Sequence, residues 1–392
     1  MVNFIEIDTG GEVSDKLVRD RVVQPVGEPL DSELMKDSLE RINGISYFET
    51  VVYDIVERDG ETGVKITATP KTWGPNYIQF GGRYYNDFSG NDGLTLRFGY
   101  LVAPRAADGS EWNTLLTLGE ETSVTTDFFK PFSPSSPWFY TAGLFAIQEQ
   151  VNIFRDGNIT SQTEIDSYGA QFEIGRFIGT ASEISLGYRA YNGKRNTSIG
   201  VGEPPDPNVE GGEIFLDFLH DTFDDISFPR SGHLLSAFAL DSGDDWGSNA
   251  EFTQYGLDYG GAYDLGRFSL LGGLRANVTP SGIPPPERRF QVGGLFQLGG
   301  IAEEEVSANN LLLVRAGVLY PWRQLLGSQS YLGGIASYVT ASPDYDDWDR
   351  GEGIFAGSLF LGLDTIIGAV YGGIGVNEGG GHSFHLLLGN PF

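Results

Sequence analysis

Apolar residues recur at every second position in long segments along most of this chain, from residue 76 to its end. Three clear examples are LTLRFGYLV, RFSLLGGLRANV and FAGSLFLGLDTII. Successive side chains of a β-strand point to opposite faces, so each segment predicts a strand with one apolar face and one polar or small face. In the first segment the apolar face consists of Leu94, Leu96, Phe98, Tyr100 and Val102.

Sixteen such segments follow one another, an even number as closure of an antiparallel bacterial barrel usually requires. The predicted strands are 76–87, 92–103, 111–119, 123–131, 137–154, 159–177, 182–197, 209–222, 232–242, 249–264, 267–279, 310–321, 329–341, 354–367, 369–376 and 382–392.

Strand length and charge separate a membrane barrel from a soluble sandwich, which would also alternate. Sandwich strands average about 5–6 residues, whereas a tilted strand needs about 10 residues to cross a bilayer, as many segments here have. Charged residues on the non-apolar faces would be costly in a sandwich core but are tolerated in a wet lumen. The predicted lumen-facing charges are Arg97, Arg189, Arg275, Arg315 and Asp364.

Residues 1–75 follow another pattern and predict a small α+β domain. The strand VNFIEID precedes two helical segments at 14–23 and 31–42, and Asp31 is a plausible N-cap of the second. The strands YFETVVYDIVE and VKITATP then flank the turn ERDGETG, which is a hairpin signal. The predicted organisation is a β-α-α-β-β domain followed by a barrel over 76–392, mainly β overall.

The connections between the predicted strands are asymmetric. If the first barrel strand leaves the small domain, the long segments 198–208, 280–309 and 342–353 all lie at the opposite end of the barrel. Short turns such as DLG at 264–266 lie at the end near the small domain. Outer-membrane barrels have this arrangement, with short turns on the periplasmic side.

Composition and charge argue against several classes of function. The formal charge is −28, from 53 acidic and 25 basic residues, so the chain lacks the cations that neutralise nucleic-acid phosphates. Without cysteine there is no disulfide or thiolate metal site, and the four histidines are scattered. No run of 18 apolar residues predicts a transmembrane helix. We expect no cofactor and no nucleic-acid partner.

Catalytic motifs are also absent from the sequence. It has neither a G-x-S-x-G nucleophile elbow nor a D-G-[GA] motif, and GSQSYLG at 327–333 has the wrong spacing. We therefore expect that this chain is not itself an enzyme. Two acidic clusters could gather divalent cations beside lipid headgroups, although a solvated outer loop is the favoured interpretation. These clusters are Glu303, Glu304 and Glu305, and Asp344, Asp346, Asp347 and Asp349.

Two internal stretches, with the domain order, resemble the superfamily of outer-membrane assembly and secretion barrels that includes BamA, TamA and two-partner secretion transporters. FDDISFPRSGHLL resembles its periplasmic turn motif, and RRFQVGGLFQLGG resembles its inward-folded loop. The turn residues are Asp224, Phe228, Pro229 and Gly232. The loop residues are Phe290, Gly293, Gly294, Leu298, Gly299 and Gly300. The resemblance implies a single periplasmic POTRA domain at 1–75 and a loop at 280–309 that folds into the barrel.

The tip of this loop departs from the family pattern. The family has L/V-R-G-F/Y, whereas this chain has Leu298, Gly299 and Gly300, so the usual Arg that fixes the loop to the barrel wall is missing. The upstream Arg288 and Arg289, or packing of the Gly-rich loop itself, are the alternatives for holding the loop.

A single POTRA domain with sixteen strands resembles the carboxy-terminal part of patatin-like type Vd autotransporters of the PlpD kind. That resemblance implies an outer-membrane translocator and anchor for an amino-terminal patatin-like phospholipase passenger, which would not be part of this chain. An insertase of the BamA or TamA kind is the alternative, and a passive porin is a third. Expected partners are outer-membrane lipids, the passenger on the same chain, the barrel-assembly machinery and, as an option, a second copy.

The final segment, HSFHLLLGNPF, predicts the sixteenth strand, and its last residues carry a second prediction. Its alternation places Phe384, Leu386 and Leu388 on the lipid side. A last strand that ends in an aromatic residue resembles the carboxy-terminal signal for barrel insertion, with Gly389 and Phe392 at the fitting positions. We expect this strand to pair with the stretch near Tyr77 and to close the barrel.

Overall fold

The computed structural model has a small α+β region followed by a closed β-barrel. The residues that it describes are 1–11, 15–43, 48–70, 76–88, 92–102, 109–133, 136–155, 158–200, 207–325, 327–342, 345 and 353–389. Asp344, Asp346, Asp347, Asp349 and Phe392 lie outside these residues. Among the described helices, none is long and apolar enough to cross a membrane.

The amino-terminal region is a three-stranded sheet with two helices. Its elements are β1 (Ile5–Asp8), α1 (Asp15–Arg19), α2 (Ser32–Asn43), β2 (Phe48–Arg58) and β3 (Glu61–Pro70). The strand order is β1-β3-β2, with β1 parallel to β3 and β2 antiparallel to it.

The elements of this region follow the predicted order, and their local chemistry explains their ends. The Asp31 carboxylate accepts hydrogen bonds from the backbone N–H groups of Glu33 and Leu34, as an N-cap does. Asp59 and Gly60 both have positive φ, and such a two-residue turn matches the twist of a hairpin. The first helix, which buries Leu17 and Val18, ends at Arg19 and is shorter than the predicted 14–23, although Val22 beyond its end also packs against the core.

The barrel contains sixteen antiparallel strands in sequence order, as the alternation predicts. They are β4 (Tyr77–Asn86), β5 (Asp92–Val102), β6 (Glu111–Gly119), β7 (Thr122–Pro131), β8 (Trp138–Arg155), β9 (Asn158–Ile178), β10 (Ser182–Ile199), β11 (Asn208–Asp221), β12 (Gly232–Ser242), β13 (Phe252–Asp264), β14 (Ser269–Gly282), β17 (Asn310–Leu325), β18 (Ser328–Ser342), β19 (Gly353–Thr365), β20 (Gly368–Asn377) and β21 (His382–Leu388).

Between β14 and β17 the chain forms one long inward-folded loop, residues 283–309. It carries the short hairpin strands β15 (Phe290–Val292) and β16 (Val306–Ala308). The predicted loop began at residue 280, but β14 continues to Gly282, where the chain turns with positive φ. Because strand direction alternates, the β10–β11, β14–β17 and β18–β19 connections lie at one end of the barrel, as expected.

The two faces of the barrel differ in the predicted way. On β5, Leu94 and Phe98 are exposed on the outer face, while Thr95 is buried on the inner face. The strand β19 departs from the simple pattern, since Phe360 is an apolar residue on the inner face and is buried. That side chain is buried because the inward-folded loop fills the lumen next to it.

Candidate functional site

The stem of the inward-folded loop is fixed to the barrel wall by buried ion pairs. The Arg195 guanidinium on β10 pairs with Glu287, its Nε lying 3.0 Å from Oε1. Arg288 donates to the Glu213 carboxylate on β11 over 2.9 Å and to the Tyr191 hydroxyl over 3.1 Å. Glu213 is fully buried, so this pairing offsets the cost of removing a carboxylate from water. Arg288 therefore holds the loop, whereas Arg289 is exposed.

The tip of the loop is held by arginines that come from the wall. Arg315 on β17 donates to the backbone carbonyl of Phe296 over 3.2 Å, and Arg275 on β14 lies 3.4 Å from the Gln297 amide oxygen. Asp258 on β13 pairs with both arginines, at 2.5 Å and 3.5 Å. A loop without an arginine at its tip is thus bound by two arginines of the barrel.

An aromatic cluster in the lumen joins the loop tip to the turn between β11 and β12. Phe228 of that turn stacks on Tyr331, with ring centroids 4.1 Å apart, and lies 5.1 Å from Tyr371. The loop residue Phe296 contacts Tyr371 edge-on at 5.2 Å and Phe360 at 5.1 Å. The two sequence motifs, far apart in the chain, therefore meet in one buried cluster.

The turn that carries Phe228 is shaped by Asp224 and Gly232. The Asp224 carboxylate accepts hydrogen bonds from the backbone N–H groups of Arg230 and Ser231, at 2.9 Å and 3.0 Å. Partial burial raises the pKa of Asp224, but these hydrogen bonds outweigh it and hold the pKa below its ordinary value. Gly232 has positive φ, and a Cβ there would lie 2.1 Å from the Thr222 carbonyl oxygen.

At the end of its tip and in its return segment, defined here as residues 300–303, the loop packs closely against the last strands. A Cβ on Gly299 would lie 2.3 Å from Ser358 Oγ and 2.6 Å from the Gly357 carbonyl oxygen. The Gly300 N–H donates to Ser383 Oγ on β21 over 2.9 Å, and Asn377 donates to the Gly300 carbonyl over 2.7 Å. Glycine at 299 and 300 thus allows the backbone of the loop to lie against β19–β21.

The loop then reaches the first barrel strand. The Glu303 carboxylate lies 2.6 Å from the Arg83 guanidinium on β4 and 4.0 Å from His385 Nδ1 on β21. This partly buried position is at odds with the predicted solvated outer cluster or cation site for Glu303. The loop folds into the lumen and carries this carboxylate to the wall, while its neighbour Glu304 is exposed.

The first and last strands close the barrel through a short ladder, here called the seam. Among the described residues it has five residue pairs, from Gly82–Leu388 to Asn86–Phe384. The next shortest ladders of the barrel, β6–β7 and β20–β21, have seven. The seam therefore has fewer backbone hydrogen-bonding positions than any other described strand pair of the barrel.

The sequence of the barrel decides its family. The model of the Omp85 superfamily domain matches residues 108–361, which is more than half of the chain. The chain belongs to the Omp85 superfamily. The resemblance of the two motifs to this superfamily of outer-membrane barrels is thereby confirmed.

Solved structures agree with this assignment at the level of fold. BamA from Haemophilus ducreyi lacking POTRA domains 1–3 is similar with a TM-score of 0.67 and 15% identity, over 99% of this chain and 84% of that one. CdiB from Acinetobacter baumannii (TM-score 0.66, 11% identity) and CdiB from Escherichia coli (0.65, 12%) each cover 99% of this chain, and 73% and 76% of theirs. A sequence search of curated proteins finds no significant match.

This Omp85 barrel brings some of the predicted site residues together and leaves others apart. Arg275 and Arg315 share Asp258 at the loop tip. Arg189 lies 3.7 Å from Glu213 near the loop stem, and Arg97 lines a cavity beside Arg83 and Glu303. Asp364 is exposed on the inner face near the end of β19 and, among the described residues, forms no ion pair with the loop.

Several residues of the site were missed by sequence reasoning. They are Glu213, Asp258, Glu303 and Tyr371. Glu213 and Asp258 lie on the inner faces of their strands, so the alternation rule could have placed them in the lumen. No local pattern distinguishes Glu303 from Glu304 and Glu305, because only the path of the loop brings Glu303 to Arg83.

Proposed function

We propose that this Omp85-family outer-membrane barrel is a translocator that anchors a passenger in the outer membrane and helps to move it to the cell surface. The observation that carries the proposal is the combination of one small α+β region with a sixteen-stranded barrel whose lumen holds an anchored loop. The passenger we propose is an amino-terminal patatin-like phospholipase, as in type V secretion. The chain itself would contribute no catalytic residue.

The α+β region is proposed to act as a periplasmic POTRA domain that receives unfolded polypeptide. Its sheet order leaves β2 (Phe48–Arg58) at an edge, with Val52 and Ile55 exposed along it. An exposed edge strand offers unpaired N–H and C=O groups to an added strand. This geometry supports strand addition by a passenger or by an assembly factor.

A passenger needs a path past the inward-folded loop. The loop is anchored at its stem, its tip and its return segment, so passage through the lumen would require these contacts to break. Separation of β4 and β21 at the short seam is the other route. Either route would break contacts between the loop and the two strands of the seam.

The test is surface display of a passenger fused to the amino terminus behind a secretion signal. With the proposed function, a patatin-type phospholipase becomes accessible to external protease and antibody in intact cells. The matched control is the same fusion with only the barrel, 76–392, which should reach the membrane but display less passenger. A passenger that stays in the periplasm beside a correctly inserted full-length barrel would contradict the proposal.

The short seam also supports a second candidate, an insertase that acts on other barrels. An easily opened ladder between first and last strands could template a new strand. Depletion of the protein would then lower the outer-membrane levels of several unrelated barrels, whereas a dedicated translocator would affect only its own passenger. A passive porin is disfavoured by the anchored loop in the lumen.

A further inference from the structure

The seam is crossed by a polar cluster to which three parts of the chain contribute. Arg83 comes from the first barrel strand, Glu303 from the inward-folded loop and His385 from the last strand. Their side chains are 28%, 15% and 0% exposed, so water screens the Arg83–Glu303 pair only in part. Close to this cluster, the Gly300 N–H of the same loop donates to Ser383 on the last strand.

We propose that Glu303 is a latch residue, which ties the inward-folded loop to Arg83 and thereby keeps the first and last barrel strands together. The return segment of the loop binds the last strand through Gly300 and the first strand through Glu303, so it bridges the seam from the inside. The inference deepens the proposed function, since it names the contact that must break before the seam can open. It holds equally for a translocator and for an insertase.

The neighbouring glutamates do not share this position. Glu304 is exposed and has positive φ. The Glu305 carboxylate accepts a hydrogen bond from the Ala302 backbone N–H within the loop. Of the three glutamates, Glu303 is the one that forms an ion pair with the barrel wall. It passes close to Gly294, where a Cβ would lie 2.6 Å from Glu303 Oε1. This close approach gives one of the two glycines in the F-x-x-G-G motif a specific role.

Among the described residues, the latch adds to two other links across the seam, a short backbone ladder and the stacked rings of Tyr85 and His385, whose centroids lie 6.2 Å apart. Over the described residues the ladder has five residue pairs. A cavity of about 890 Å³ adjoins the latch and is lined by residues of β4, β5, β21 and the loop, including Arg97 and Leu388. Beside this cavity the inner side of the seam is not backed by packed side chains, and the ion pair from the loop supplies a contact there.

The test is amide hydrogen exchange of the full chain in lipid nanodiscs, followed by mass spectrometry of peptides from β4, β21 and β9. Glu303→Gln keeps the size of the side chain and removes its charge. We expect amide exchange in the β21 peptide to become at least about tenfold faster. Removal of the Glu303 charge leaves the partly buried Arg83 charge without its partner, which favours opening of the seam. The β9 peptide should be unaffected.

Glu304→Gln is the matched control, because it removes the same charge one residue away. Arg83→Gln and the double variant Arg83→Gln/Glu303→Gln complete a double-mutant cycle, in which the double variant should exchange no faster than the faster single variant. Arg83→Gln also serves as the probe if Glu303→Gln fails to fold.

Three results would overturn the latch. They are unchanged β21 exchange in both single variants, equal acceleration by Glu304→Gln, and additive effects of the two latch substitutions. None of these measurements involves a passenger. A failed surface-display experiment would therefore leave the latch standing, and a failed exchange experiment would leave the translocator proposal standing.

Discussion

At the scale of the residue, Tyr371 shows how the lumen of this barrel is built. Its ring lies between Phe228 of the β11–β12 turn and Phe296 of the loop, and its hydroxyl donates to the Ser227 carbonyl over 2.6 Å. Such aromatic pairs contribute about 0.5–1.5 kcal/mol each beyond the area they bury. One side chain from β20 thus links two segments that the sequence places almost seventy residues apart from each other.

Gly299 occupies the place of the arginine that other members of the superfamily are expected to have. A Cβ there would come within 2.3 Å of Ser358 Oγ and 2.6 Å of a backbone oxygen. We predict that Gly299→Ala lowers the free energy of unfolding by about 1–3 kcal/mol, as overpacking does. Gly299→Arg should be worse, although it restores the family residue. Urea unfolding of the barrel in lipid vesicles measures both.

Gly272→Ala is the control for this prediction. Gly272 lies on the outer face of β14, and a Cβ there meets no atom within 4 Å. That substitution should change stability by no more than about 0.5 kcal/mol. Equal effects of the alanines at 272 and 299 would show that the loop tip does not need glycine.

At the scale of the element, the inward-folded loop is anchored by three separate sets of contacts. Its stem pairs with β10 and β11, its tip is bound from β13, β14 and β17, and its return segment reaches β4 and β21. The aromatic cluster and the ion pairs fix the loop to opposite parts of the wall. We interpret the loop as a plug that spans the lumen.

Deletion of residues 288–300 should open the lumen, because it removes the tip and its aromatic contacts. We predict a higher single-channel conductance in planar bilayers than the intact barrel gives. Ile283→Ala, which changes an exposed residue at the start of the same loop, should leave conductance unaltered. A deletion variant that folds and conducts like the intact barrel would show that the loop does not obstruct the channel.

At the scale of the whole molecule, closure depends on the last strand. Among the described residues, the strand β21 pairs with β4 from Phe384 to Leu388, and the inner-face residues Ser383 and His385 are buried beneath the loop. The final strand therefore completes both the barrel wall and the binding surface of the loop.

The carboxy-terminal aromatic residue is predicted to serve assembly. Deletion of Phe392 should lower the amount of barrel in the outer membrane, while the α+β region keeps its fold as judged by limited proteolysis. Phe392→Tyr keeps a terminal aromatic ring and should preserve assembly. Normal outer-membrane levels of the deletion variant would show that Phe392 is not an insertion signal.

The sequence by itself determined the strands and their faces, because a period of two in apolar residues follows directly from strand geometry. It also determined the small α+β region, through the Asp31 cap and the hairpin turn at Asp59 and Gly60. Both are local consequences of neighbouring residues. The resemblance of two short motifs then indicated the superfamily before any contact was known.

Only the tertiary structure decided how the loop is held and where Glu303 lies. The wall arginines Arg275 and Arg315, the cluster around Tyr371 and the Glu303–Arg83 pair join residues from distant strands. Nothing in the local pattern of EEE at 303–305 tells which carboxylate turns inward. The register of closure and the path of the loop set these contacts, and both are properties of the closed barrel as a whole.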